Sequence, residues 1–168
     1  MLVSTIRIFV ADLDISMIDT ISKAWAEFVQ PILQRPRRLQ VAALCYKLDS
    51  GAKKILLITS RDTGRWIIPK GWPMNGKDAG EAALQEAWEE AGVREGKVTG
   101  EALGYYNYDK ELKTGLPVPV ETLVFPVKVT ELRDDFPEAS ERTRKWVSPE
   151  DAANMVREPA LQDMLREL

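Results

Sequence analysis

Three glutamates, Glu86, Glu89 and Glu90, are spaced so that a helix would place their carboxylates on one face. The opposite face would be apolar and consist of Leu84, Ala87, Trp88 and Ala91. Like charges this close destabilise a helix unless something neutralises them. A divalent cation does so, and hard oxygen ligands favour Mg²⁺, with Mn²⁺ possible. A solvated acidic face without metal is the alternative interpretation.

The residues around the glutamates favour the metal interpretation. Ile67 and Ile68 form a short apolar run that enters a loop rich in Gly and Pro, residues 69–73. Asp78 and Glu81 have the spacing of a capping box, which predicts a helix start at residue 79. Gly92 is the residue type preferred just after a helix end. The pattern therefore predicts strand, loop and acidic helix in succession.

The segment from residue 71 to 93 resembles the Nudix box of the Nudix hydrolases, G-x5-E-x7-R-E-U-x-E-E-x-G-U, where U is a bulky apolar residue. The positions that match are Gly71, Glu86, Glu89, Glu90, Gly92 and Val93. Three positions depart from the pattern: Lys77 stands for Glu, Gln85 stands for Arg, and the small Ala87 stands for a bulky residue. The spacing from the glycine to the glutamates is retained, so the resemblance is specific.

The resemblance extends beyond the box, to the diphosphoinositol polyphosphate and diadenosine polyphosphate branch of the family. The segments that carry it are residues 41–46, 58–61, 65–69, 142–147 and 150–152. It begins near Arg38 and reaches the C-terminal helix, which predicts a Nudix hydrolase domain over residues 38–168. Residues 1–37 carry no motif that we recognise and are predicted to form an N-terminal extension with a helix over residues 18–34.

The alternation of strand and helix patterns predicts an α/β or α+β fold. The resemblance makes this an α/β/α sandwich around a mixed sheet. Strands are predicted at residues 39–48, 54–59, 67–68, 98–107, 120–131 and 143–147, the first two as a hairpin. Helices are predicted at residues 79–91, from Pro149 onward with Ser148 as cap, and at 160–168. Residues 109–119 are predicted to be a loop or hairpin tip, and Pro126 indicates an edge strand or a bulge.

The resemblance implies metal-assisted attack of water on a P–O–P linkage. It implies that Glu89 and Glu90 are metal ligands, that Glu86 is a ligand or the base, and that the Lys70 carbonyl is a further ligand. The family's arginine at the position of Gln85 orients a catalytic glutamate through an ion pair. Gln85 can form a hydrogen bond but carries no charge, so we expect weaker orientation with activity retained.

The substrate side must hold several phosphates. The candidate phosphate-binding residues are Arg38, Arg61, Arg65, Lys70, Arg142 and Arg144. The resemblance places Arg38, Arg61 and Arg142 near phosphate-clamping positions. Gln40 stands where the inositol branch has another cation, which gives a slight preference for dinucleoside polyphosphates over diphosphoinositol polyphosphates. Tyrosines 105, 106 and 108 could stack a base, but a structural role is more common for strand-end tyrosines.

Composition restricts the remaining possibilities. The chain of 168 residues has no histidine, which excludes Ser-His-Asp machinery and His-ligated zinc, so a general base must be a carboxylate, Lys or Tyr. A net charge of −3 suggests neither nucleic acid nor membrane as partner. The single cysteine, Cys45, lies in an apolar run, which indicates a buried thiol and fits a cytoplasmic protein. The oligomeric state is open, with a homodimer possible.

Two alternatives to a polyphosphate hydrolase remain at this point. The chain could belong to another Nudix branch, acting on a nucleoside diphosphate sugar or a nucleoside triphosphate. It could also be a catalytically weak binding module, because Lys77 and Gln85 depart from the box. Phosphate release from a panel of diphosphates in the presence of Mg²⁺ distinguishes these possibilities.

Overall fold

The computed structural model describes residues 37–111 and 117–168, together with Lys23. The helix predicted over residues 18–34 lies outside the described residues except for Lys23, which is helical. The division of the chain at residue 37 stays a prediction. The described part contains eight strands: β1 (Arg38–Asp49), β2 (Ala52–Thr59), β3 (Trp66–Ile67), β4 (Lys70–Gly71), β5 (Val93–Val98), β6 (Gly104–Glu111), β7 (Pro117–Leu132) and β8 (Arg144–Val147). Its three helices are α1 (Ala79–Ala91), α2 (Pro149–Met155) and α3 (Pro159–Arg166).

All eight strands join one mixed sheet with the main order β3-β2-β1-β7-β5. β1 and β2 form the predicted antiparallel hairpin, whereas β1 and β7 pair in parallel over most of β1. β4 pairs with β1, β6 with β7 and β8 with β2. β1 therefore lies at the centre of the sheet, which explains why its apolar run is continuous rather than alternating.

The two faces of the sheet carry separate hydrophobic cores. The face under α1 packs β1 and β2 side chains such as Val41 and Ile58 against Ala83 and Ala87. The opposite face packs Leu44, Leu57 and their neighbours against α2 and α3. Helices thus cover both faces, and the predicted α/β/α sandwich is confirmed. Cys45 is fully buried in the first core, and burial raises the pKa of its thiol to about 12.

Local signals in the sequence set the limits of α1. The Glu81 N–H donates to the Asp78 side chain at 2.8 Å, and the Asp78 N–H donates to the Glu81 side chain at 2.9 Å. Gly92 ends the helix with a left-handed φ of 71°, and its N–H donates to the Trp88 carbonyl at 3.0 Å. A side chain there would also collide with the Arg133 carbonyl, so glycine is required twice over. The predicted limits of this helix are confirmed.

The strand predicted over residues 98–107 is wrong. The chain forms two strands instead, β5 and β6, separated by a connection at residues 99–103. β5 was missed because its pairing with β7 has register shifts on either side of Glu95, which disrupt the alternation of apolar residues. The predicted loop at residues 109–119 is shorter than expected, since β6 continues to Glu111 and β7 begins at Pro117.

Pro126 lies inside a central strand rather than on an edge, contrary to expectation. β7 pairs with β1 on one side and with both β5 and β6 on the other. The Pro126 carbonyl accepts the Thr99 N–H at 3.0 Å, so the Pro126 nitrogen faces the side where the neighbour changes from β6 to β5. The sheet tolerates the missing N–H because no ladder partner is paired with Pro126 at that junction.

The final strand and helices follow the prediction closely. Ser148 caps α2 by accepting the Asp151 N–H at 3.1 Å, with Pro149 in the first turn. Among the described helices, none is long and apolar enough to cross a membrane.

Candidate active site

Glu90 is the most constrained carboxylate of the acidic helix. Its Oε2 accepts the Lys70 N–H at 2.9 Å, and its Oε1 is paired with the Arg142 guanidinium. Only 8% of the residue is exposed, although the sequence placed it on the face opposite the apolar one. Burial raises the pKa of the Glu90 carboxyl, while Arg142 and the Lys70 N–H oppose that rise. The two contacts fix Glu90 against β4 and against the chain just before β8.

Glu86 lies beside Gly71, at the first glycine of the box. A Cβ on Gly71 would overlap the Glu86 carboxylate, so this glycine is required by close approach and not by a left-handed backbone. Burial raises the pKa of Glu86 to about 7, and the neighbouring carboxylates of Glu90, Glu89 and Glu138 add to the rise. A carboxyl with such a pKa can change its protonation state near neutral pH.

Glu89 has an uncharged partner. The Gln85 side-chain amide donates to its Oε1 at 2.6 Å, one helical turn away. This contact matches the expectation that Gln85 orients a carboxylate through a hydrogen bond without charge. Leu84 and Trp88, which were expected to be buried opposite the glutamates, are only half-buried, whereas Ala83, Ala87 and Ala91 are fully buried.

A cleft of ≈ 450 Å³ opens beside Glu90, between β6 and the loops that follow β2 and α2. Within residues 37–111 and 117–168, its charged lining has six cationic and three acidic residues: Arg61, Arg65, Lys70, Lys110, Arg142 and Arg157, with Asp62, Glu90 and Asp109. In the same part of the chain, its one aromatic residue is Tyr108, whose hydroxyl donates to the Gln40 side chain at 2.7 Å. Tyr106 is buried and Tyr105 is exposed away from the cleft lining. The cleft therefore offers charge rather than a stacking surface.

The six predicted phosphate-binding residues do not all meet in this cleft. Four of them line it: Arg61, Arg65, Lys70 and Arg142. Arg38 lies at the exposed start of β1 and is not part of the lining. Arg144 donates to the carbonyls of Ala91 and Arg133 at 2.9 and 2.8 Å, so its guanidinium satisfies the C-terminal end of α1. These bonds give Arg144 a structural role outside the described cleft lining, and its phosphate role stays a prediction.

Burial and partners distinguish the cations of the cleft. The Arg61 side chain is 50% exposed and contacts Glu138 at 3.0 Å. Arg65 pairs with Glu158 at 2.6 Å, and its side chain is 22% exposed. Lys70 is half-buried with its Nζ 5.5 Å from the Tyr108 ring centroid, and burial lowers the pKa of its ammonium to about 8. Arg61 is thus the most accessible of these three.

Three residues of this region were missed in the sequence. Lys110 and Arg157 line the cleft, and among residues 37–111 and 117–168 neither forms an ion pair. Glu138 adds a fourth carboxylate to those of the three predicted ligands and helps to raise the pKa of Glu86. It also contacts both Arg61 and Arg142. Each of the three belongs to a segment without a recognisable motif, so only the fold could place them at the site. Lys77, by contrast, is exposed before α1 and outside the cleft lining, as expected.

The residues at this site fit a hard divalent cation by the chemistry of their donors. Glu86, Glu89 and Glu90 supply carboxylate oxygens, and Glu86 is raised in pKa by its acidic neighbours, which a cation would relieve. Among the described residues no three acidic side chains are already arranged around a common metal position. Glu90 and Glu89 instead turn to Arg142 and Gln85, so metal binding would require these side chains to rotate.

The chain is similar to known proteins in sequence and in fold. The NUDIX domain model matches residues 38–168. The human protein "Diphosphoinositol polyphosphate phosphohydrolase 3-beta" is 33% identical over 119 residues, which cover 70% of this chain and 68% of that protein. The crystal structure of a C. elegans Ap4A hydrolase aligns with a TM-score of 0.60 at 22% identity, covering 79% of this chain and 96% of the other. The NUDIX domain of Shewanella oneidensis NrtR, solved with ADP ribose, aligns with a TM-score of 0.57 at 17% identity, covering 87% and 96%.

Proposed function

Because the chain belongs to the Nudix family of hydrolases, we propose that it cleaves a P–O–P linkage in a small, densely phosphorylated substrate with the help of Mg²⁺. The observation that carries this proposal is the cleft whose lining, among the described residues, brings six cationic side chains together with Glu90. Phosphate groups need cations of this kind, and arginine binds them through paired hydrogen bonds. The acidic helix beside the cleft would bring the metal and the phosphates together.

The roles of the site residues follow from their positions. The carboxylates of Glu86, Glu89 and Glu90, with the Lys70 carbonyl, would hold the cation. When bound, Mg²⁺ would neutralise phosphate charge and promote the ionisation of water. Hydrolases of this family generally use divalent metal ions. If Glu86 does not bind the cation, it is the candidate base that would accept a proton from water.

The substrate class that we propose is a diphosphoinositol polyphosphate, with dinucleoside polyphosphates as the second candidate. Curated relatives at 31–33% identity are named for the first class. The cleft lining supports the same preference, since Tyr108 is its only aromatic side chain among the described residues and offers a nucleotide base little surface to stack on. This preference reverses the slight preference drawn from Gln40, because Lys110 and Arg157 add cations that the sequence did not reveal. A cytoplasmic location and a possible homodimer stay predictions.

A substrate panel tests the proposal. A diphosphoinositol polyphosphate, a diadenosine polyphosphate and ADP-ribose should be compared in Mg²⁺, with the products identified. We expect the first to have the highest kcat/KM, and a chelator to abolish turnover of all three. A clear preference for ADP-ribose would move the chain to another branch, and no turnover of any diphosphate would support the weak binding module instead.

Arg61→Ala should raise KM for the polyphosphates by about 5- to 10-fold, because it removes a cation that binds their phosphates. KM for ADP-ribose should rise by less, because ADP-ribose presents fewer phosphates to the cleft. The half-exposed Arg61 is the accessible cation of the cleft, so the change should leave folding intact. Arg133→Ala is the matched control, since Arg133 is exposed and lies outside the cleft lining. An equal loss on all substrates would contradict a cleft that discriminates by phosphate number.

Glu86→Gln should stabilise the metal-free protein at about pH 8 by about 1–2 kcal/mol after allowance for solvent screening. The folded pKa of Glu86 is raised to about 7. Below the unfolded-state pKa of Glu86, the carboxyl is protonated in both states and costs the parent no stability. As pH rises from there through about 7, the parent loses unfolding free energy, because the folded carboxyl ionises less readily than the unfolded one. Thermal unfolding at about pH 5 and pH 8 measures the effect.

Saturating Mg²⁺ provides the second half of that experiment. The parent should gain more stability from Mg²⁺ than Glu86→Gln, because the amide removes one charged ligand. A metal-free variant at about pH 8 that is less stable than the parent would contradict carboxylate repulsion at this site. A Mg²⁺ response that is equal in both proteins would remove Glu86 from the proposed ligands.

A further inference from the structure

Arg142 differs from the other arginines of the cleft by its burial. Its side chain is 3% exposed, compared with 50% for Arg61 and 22% for Arg65. The sequence predicted a phosphate clamp at this position. A clamp must present its guanidinium to the substrate, and this guanidinium is enclosed by protein.

The hydrogen-bonding capacity of Arg142 is largely used within the protein. Its Nη1 donates to the Thr59 carbonyl at 2.9 Å, and its Nε donates to Glu138 Oε2 at 2.8 Å. Its Nη2 contacts Glu138 Oε2 at 2.6 Å and donates to Glu90 Oε1. A substrate phosphate would have to displace one of two carboxylates and leave it buried without its cation, which is costly.

These contacts extend into a chain of alternating charges. Arg61 at the cleft contacts Glu138, Glu138 contacts Arg142, and Arg142 contacts Glu90. The far side of Glu90 is held by the Lys70 N–H. Of the three predicted ligands on α1, Glu89 has the uncharged Gln85 as partner, whereas Glu90 is paired with the Arg142 guanidinium.

We propose that Arg142 is a positioning residue that holds the Glu90 carboxylate in place and does not bind substrate phosphate. The inference rests on the proposed function only in that Glu90 serves the reaction. Arg142 is 52 positions from Glu90 in the chain and lies in the connection between β7 and β8. Its planar fork suits the task because one guanidinium can hold two carboxylates and a carbonyl together.

Steady-state kinetics separates positioning from phosphate binding. Arg142→Met should lower kcat by about 10- to 100-fold and change KM by less than about 3-fold. Arg142→Lys keeps the charge but loses the planar fork of the guanidinium, so its kcat should lie between those of Arg142→Met and the parent. Arg157→Met, at an exposed residue of the cleft, should do the reverse and raise KM with kcat retained. Arg166→Met, at a surface ion pair, should change neither parameter. An Arg142 variant that raises KM and keeps kcat would overturn the proposal.

A double-mutant cycle tests the same contact without catalysis. The parent, Glu90→Gln, Arg142→Lys and the double variant are unfolded by denaturant without metal, with Lys chosen because it retains the buried charge. We expect the two changes to be coupled by at least about 5-fold in the unfolding equilibrium constant. A second cycle pairs Arg142→Lys with Glu138→Gln. Coupling of less than about 2-fold in the first cycle, with clear coupling in the second, would show that Arg142 stabilises Glu138 and not Glu90. An inactive parent would refute the proposed function, while this cycle would still decide the role of Arg142.

Discussion

Glu90→Gln should leave a folded protein whose turnover is lower by about 10²- to 10³-fold at saturating Mg²⁺. The amide oxygen can still accept the Lys70 N–H, and Arg142 keeps Glu138 as a partner. The change removes one negative charge from the proposed metal site without opening a cavity. The expected cost in unfolding free energy is about 1–3 kcal/mol, since the amide nitrogen would face the buried guanidinium.

The control for this experiment is Glu95→Gln, an exposed glutamate on β5 outside the cleft lining. It should match the parent in both kcat and unfolding free energy. Initial rates across a range of Mg²⁺ concentrations, with thermal unfolding of each variant, measure the two effects separately. Parent-like turnover of Glu90→Gln would refute the assignment of Glu90 as a ligand.

Gly71→Ala should lower kcat by about 100-fold, because the added methyl group would displace the Glu86 carboxylate by the order of an ångström. The reason is the overlap between a Cβ at residue 71 and that carboxylate. Gly71 also pairs with Val41 in the sheet, so the strain cannot be relieved by moving the strand freely. The cost in unfolding free energy should be small, because the colliding atoms are the end of a flexible side chain that can turn aside.

Gly100→Ala is the matched control, since a Cβ at residue 100 meets nothing within 4 Å. Combining Gly71→Ala with Glu86→Asp removes the collision by shortening the side chain, but it should not recover the rate, because the shorter carboxylate no longer reaches its original position. Kinetics and denaturant unfolding of the four proteins give the answer. If Gly71→Ala retained full activity, Glu86 would not need its position beside the glycine.

The elements that could be predicted from the sequence are those fixed by local interactions. The capping box of Asp78 and Glu81, with Gly92 at the end, defines α1 through contacts within a few residues. The β1–β2 hairpin is likewise local. β5 and β6 depend on distant β7, and Pro126 is compatible with a central strand only because two different strands meet opposite it. Single-sequence patterns contain no information about that junction.

The candidate site divides in the same way. The spacing of Glu86, Glu89 and Glu90 is a property of one helix, so the acidic cluster could be predicted. The charged partner of Glu90 comes from a remote segment, since Arg142 precedes β8, and the cleft cation Arg157 follows α2. Arg142 and Arg144 look alike in the sequence, yet one side chain reaches Glu90 and the other reaches the end of α1. Only the fold distinguishes them.

The parallel pairing of β1 with β7 also bears on how the chain reaches its native state. The paired residues are about 80 positions apart, so this contact gives the domain a high contact order and slows folding. During synthesis the acidic helix emerges well before β7 and before Arg142, the cation that pairs with Glu90. A nascent chain that ends within β6 therefore has its three glutamates without that counter-charge, and with one side of its central strand open to other chains. Completion of β7 closes that edge, and the arrival of Arg142 then completes the carboxylate cluster.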